Sequence, residues 1–86
     1  MERNAILISE QDSVATVTEA VQRGDTVRWA AEEDACITAL EEIPQYHKIA
    51  VRPAAAGETV LKYGEYIGKA KCDIAVGAWV HTHNLA

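Results

Sequence analysis

Val21-Gln22-Arg23-Gly24-Asp25-Thr26-Val27, Ala54-Ala55-Ala56-Gly57-Glu58-Thr59-Val60 and Ile74-Ala75-Val76-Gly77-Ala78-Trp79-Val80 share one design. Each is a short turn into Gly-x-x-Val. Glycine enters positive φ at no steric cost, and the β-branched residue after it restarts an extended segment. A chain that turns and re-enters a sheet three times in 86 residues is mainly β. The spacing between copies is uneven, so these are corners of one compact fold and not the stacked units of a solenoid.

Strands fill the intervals. Asn4-Ala5-Ile6-Leu7-Ile8-Ser9 is an apolar run closed by the polar turn Glu10-Gln11-Asp12-Ser13, and the β-branched stretch from Val14 to Glu19 follows, which predicts a hairpin. Val27-Arg28-Trp29, Cys36 to Leu40 and His47 to Val51 read as further strands. Residues 30–42 offer a helical rival, with Ala and Glu in number and an acidic start at Glu32-Glu33-Asp34. Trp29, Cys36, Ile37 and Leu40 make no long apolar stripe, however, so a polar hairpin tip over residues 31–35 is the better reading.

At this length one domain, residues 1–86, is expected, with a thin stability margin. The net charge of −5 and the scattered placement of eight Lys and Arg argue against a nucleic-acid binder. No apolar run reaches membrane-spanning length, and Met1-Glu2-Arg3-Asn4 lacks the basic start of a signal peptide, so a cytoplasmic protein is expected. Cys36 and Cys72 form no C-x-x-C pair and read as small buried hydrophobes. Trp29 and Trp79 read as core or interface anchors. Phosphate-loop, dinucleotide and serine-hydrolase motifs are missing.

Chemistry concentrates in Val80-His81-Thr82-His83-Asn84. In an extended segment His81 and His83 share a face, where they could ligate one metal ion or divide metal binding and proton transfer. The same spacing equally suits two exposed polar residues. His47, before a strand, is a third candidate; a histidine satisfied by a backbone carbonyl is its plainer reading. Lys62-Tyr63-Gly64 at a turn could present an ammonium and a phenol to a carboxylate, or be a solvated Lys beside a packed Tyr.

Taken as one ordered string, His47-Lys48-Ile49-Ala50, Gly57-Glu58-Thr59-Val60, Lys62-Tyr63-Gly64, Ile67-Gly68, Ala70, Asp73-Ile74, Gly77 and Val80 to Asn84 resemble the SAF domain of the altronate/galactarate dehydratase family, which also forms the small subunit of sulfolactate sulfo-lyase. The match spans roughly residues 43–84. Where the family has glycine before the first histidine, this chain has Tyr46. The resemblance implies a compact β-clip of bent hairpins with short helical turns. It implies β-elimination on a hydroxy-carboxylate, with a divalent metal, iron first and manganese or magnesium as alternatives. It also implies a large catalytic subunit or domain as partner.

On that reading His81 and His83 are metal ligands or base and His47 is a further catalytic candidate. Asn84, Lys62 and Tyr63 hold the sugar acid. The chain would be a small subunit, or the first domain of a longer enzyme, acting as a hydro-lyase inactive without its partner. Sulfite elimination is the near alternative, and a non-catalytic carbohydrate-binding or assembly module the distant one. A homodimer is a further expectation for a small domain with surface to cover.

Overall fold

The computed structural model describes residues 3–86. Eight short strands run in chain order: β1 (Ala5–Ile6), β2 (Val14–Val17), β3 (Thr26–Arg28), β4 (Cys36–Thr38), β5 (Lys48–Ala50), β6 (Thr59–Lys62), β7 (Glu65–Lys69) and β8 (Trp79–Val80). The mainly β expectation holds. The helical turns do not form among the described residues: every connection is a turn, a bend or an isolated bridge.

Strands β1, β2, β5 and β8 make an antiparallel sheet in the order β1-β2-β5-β8, and β3-β4 and β6-β7 are separate hairpins. Residues 30–35 form the β3-β4 tip, with Trp29 N–H donating to the Ala35 carbonyl, so the helical rival loses to cross-strand pairing. The sheet separates two cores. On one side lie Ala5, Ala15, Val17, Val21, Val27 and Ile49 with their neighbours, and on the other Val14, Ala50, Val60, Ile74 and Val80 with theirs. Period-2 alternation along β2 and β5 sends successive side chains to the two cores.

There are four corners, not three, and they come in two pairs. Val21 exchanges backbone hydrogen bonds with Ile43, and Ala54 does the same with Ile74. Within each pair the pattern repeats: Gly24 N–H reaches Ala39 O while Ala39 N–H returns to Asp25 O, and Gly57, Ala70 and Glu58 do likewise. Asp25 and Glu58 also cap the equivalent turn N–H groups, those of Gln22 and Ala55. The fourth corner, residues 43–48, escapes the Gly-x-x-Val pattern because Tyr46 stands where the others carry glycine. Its backbone is left-handed all the same, at φ 67°, beside 93°, 88° and 92° at Gly24, Gly57 and Gly77.

A tyrosine side chain in that region costs about 1–2 kcal/mol, and Tyr46 is 69% exposed, so little packing repays it. Tyr46→Gly should therefore raise the unfolding free energy by about 1 kcal/mol, seen as a higher urea midpoint at unchanged slope. A lower midpoint would show that the ring makes contacts the geometry does not.

The expectation that both cysteines are buried is corrected. Both are free thiols, Cys36 being half-buried and Cys72 exposed. No helix among the described residues is long and apolar enough to cross a membrane.

Candidate functional site

Two corners deliver the histidines. The Tyr46 corner ends at His47, directly ahead of β5, and the Gly77 corner feeds β8, which pairs antiparallel with β5 through Lys48↔Val80 and Ile49↔Trp79. That register sets His47 beside Trp79: the indole Nε1–H donates to His47 Nδ1 at 3.2 Å. With Nδ1 accepting, neutral His47 carries its proton on Nε2. Trp79 N–H donates to Glu41 Oε2 at 3.0 Å, fixing the start of β8 from outside the sheet.

After β8 the chain does not continue as a strand. Residues 81–84 form a turn in which the N–H groups of Asn84 and Leu85 both reach the His81 carbonyl, so the extended segment expected there is overturned. Asn84 causes the turn. It is only 6% exposed; its Oδ1 accepts from His81 N–H at 2.9 Å and its Nδ2 donates to the Trp79 carbonyl at 2.9 Å. The amide expected to hold substrate is engaged in placing His81.

The three imidazoles nevertheless meet, around the indole and not along a strand face. His81 stacks on Trp79 at 5.3 Å and 10°, His83 lies 5.2 Å from the indole, and His47 is 4.9 Å from His81. Burial first, and then the neighbouring His47, Lys48 and His83, push the His81 imidazole below the ordinary histidine range. Neutral His81 is thus an available proton acceptor.

Lys62 and Tyr63 sit at the β6-β7 tip, where the Lys62 Nζ lies 4.8 Å from the Tyr63 ring centroid. Tyr63 makes no ring contact with the imidazoles. Lys62 does reach the site electrostatically: burial first, and then Lys62, push the Lys48 ammonium down, and Lys48 in turn acts on His81. The hairpin tip is held by Asp12, whose carboxylate accepts the N–H groups of Tyr63 at 2.8 Å and Gly64 at 2.7 Å. Lys48 and Trp79 were not legible as site residues. The signal for Lys48 lay in its register opposite Val80, which only the pairing shows.

As a metal centre the set falls short. No three His, Cys, Asp or Glu side chains among the described residues converge as a metal-holding group, and His47 Nδ1 already accepts the indole proton.

The family model for the altronate/galactarate dehydratase SAF domain matches residues 3–86. The chain belongs to that family. Its SAF relatives include the (2R)-sulfolactate sulfo-lyase subunit alpha of Paracoccus pantotrophus, 52% identical over 48 residues, which are 56% of this chain and 72% of that one. The altronate dehydratase of Escherichia coli is 35% identical over 79 residues, or 92% of this chain and 15% of the enzyme. That of Bacillus subtilis is 30% identical over 82 residues, 95% and 16%. The SAF domain therefore spans about three quarters of a lyase subunit but less than a fifth of the dehydratases.

The low position of His81 makes a prediction. In a pH titration followed by imidazole NMR, His81 should protonate below the ordinary value of about 6.5, and Lys48→Met should move it upward. Because the unfolded chain takes the proton first, the contribution of His81 to stability is complete above the unfolded value and is lost as pH falls through the folded one.

Proposed function

We propose that this SAF domain supplies part of the active site of a lyase that eliminates a β-substituent from a hydroxy-carboxylate, and that a larger catalytic polypeptide completes it. One observation carries the reading. A chain with net charge −5 gathers three imidazoles around Trp79 at one end of the β5-β8 pair, with the Lys48 ammonium near enough to help keep His81 neutral.

Elimination needs a base for the proton α to the carboxylate, a proton donor for the departing group and a cation for the carboxylate. His81 takes the α-proton, and the C–H electron pair becomes the Cα–Cβ double bond as the β-hydroxyl leaves. His47 offers a hydrogen bond from Nε2–H to that oxygen, and the proton taken by His81 is passed to it, so that it departs as water. The enol then gains a proton at Cβ and gives up its hydroxyl proton, leaving the 2-keto-3-deoxy acid. Lys48 and Lys62 draw the carboxylate into place. A sugar acid such as altronate or galactarate fits this scheme. The identity to the sulfo-lyase subunit favours a second reading, in which sulfite leaves in place of water.

The family's divalent metal, if the assembled enzyme holds one, would draw most of its ligands from the larger polypeptide, with His81 and His83 able to add at most two nitrogens. The open face of this domain encloses no substrate, so the isolated chain should be inactive.

The test is turnover of altronate, galactarate and (2R)-sulfolactate by the chain, by the larger catalytic polypeptide, and by the two together with ferrous iron supplied anaerobically. A keto acid formed only by the pair supports the proposal. Equal turnover by the larger polypeptide alone would reduce this domain to a binding or assembly module.

A further inference from the structure

A groove of about 540 Å³ lies at the end of β5 away from the imidazoles. His47 precedes that strand and Val51 follows it, so about 13 Å of extended chain separates the two places. The floor is apolar: Leu7, Trp29 and Val51 pack on the first core beneath and are half-exposed above. Ile8 adds a side chain that is 63% exposed.

The rim is acidic. Glu10 comes from the β1-β2 connection, and Glu32 and Asp34 from the β3-β4 tip; all three are exposed. The cation in the lining, Arg52, makes its hydrogen bond to the backbone carbonyl of Glu10 and not to a carboxylate. The walls are braced: Arg28 Nη1 donates to the Glu32 carbonyl at 2.7 Å, and Ala35 N–H to the same carbonyl at 3.0 Å. This is a prebuilt apolar slot with a negative edge.

We infer that the groove docks a segment of the larger lyase polypeptide that carries an apolar anchor between Lys or Arg residues. The inference rests on the reading above that such a polypeptide completes the enzyme. A half-exposed Trp beside an exposed Ile is the composition of an interface anchor, and the exposed carboxylates of Glu10, Glu32 and Asp34 along its edge favour a basic partner. A second copy of this chain is the wrong occupant, because it would bring two acidic rims together. The groove also leaves the imidazole end open, so substrate and partner can be held at once.

The test titrates the chain into the larger catalytic polypeptide and measures Kd by calorimetry. Trp29→Ala removes a core contact and could unfold the domain, so the exposed variants Ile8→Ser and Glu32→Lys/Asp34→Lys carry the argument. Each should weaken binding about tenfold or more. The wild-type affinity should fall between 50 and 500 mM salt, and the charge-reversed variant should lose most of that dependence. Wild-type affinity in both variants would overturn the groove assignment. So would a dimer of the chain alone that Ile8→Ser dissolves, since that would make the groove a self-association surface. His81→Gln separates the two claims: it should bind normally, and if it also turned over normally, the site reading would fail while the groove stood.

Discussion

Replacing His81 by Gln should lower kcat of the assembled enzyme by about 10²–10⁴, the range a positioned general base supplies. Glutamine keeps a polar side chain of similar reach but cannot accept and hold a proton. The backbone around it should survive, because the turn depends on Asn84 and the His81 main chain and not on the imidazole. The loss should therefore fall on kcat with KM little changed, and the urea midpoint of the chain should move little. The counterpart His47→Leu removes the indole's acceptor and the Nε2 proton together, so it should depress kcat and also loosen Trp79. Steady-state kinetics with matched urea melts separates these cases. Full activity in His81→Gln would remove the imidazole from the reaction.

The largest effect on stability belongs to Asp12, which sequence reading placed in a polar turn and nothing more. Its carboxyl is 1% exposed, and it accepts N–H groups from Ser9, Tyr63 and Gly64 across 52 residues of chain. Burial alone would raise this carboxyl, but the hydrogen bonds from Gly64, Tyr63, Ser9 and Ile8 outweigh it and hold it below the ordinary aspartate range. Asp12→Ala leaves those donors without their acceptor, and a cost of about 3 kcal/mol is expected. Against a total of about 4–13 kcal/mol for a domain of this size, that is enough to lower the urea midpoint sharply. The Lys62-Tyr63 tip should lose its position with it. Asp25→Ala is the control, since that carboxylate caps one exposed turn N–H and should cost about 1 kcal/mol or less. The sign with pH follows from a depressed folded value: the contribution is complete above the unfolded value near 3.8 and is lost as pH falls through the folded one. Equal melts for the two variants would show that Asp12 is not the tie it looks to be.

The Gly-x-x-Val corners made the mainly β class legible, because positive φ and a β-branched restart are local properties of the chain. The fourth corner was hidden by Tyr46, whose left-handed backbone is imposed by bonds that no local pattern shows: Tyr46 N–H to Val17 O, and Val17 N–H to His47 O. Sequence pattern also brought out the histidines but not how they meet. Alternation along a strand predicted a shared face for His81 and His83; the structure gathers them around Trp79 through a turn that Asn84 builds. Lys48 was hidden for a related reason. Alternation sends it to the face opposite His47, and its relation to His81 and Lys62 exists only through the β5-β8 register and the placement of the β6-β7 tip.

The most direct test of the account is imidazole rescue of a His81→Gly enzyme, assembled with its larger polypeptide and assayed on altronate, galactarate and (2R)-sulfolactate. The account predicts that the variant loses turnover and that added imidazole restores part of it in proportion to its concentration, with an unchanged keto-acid product. Wild-type turnover by His81→Gly in the absence of imidazole would contradict it.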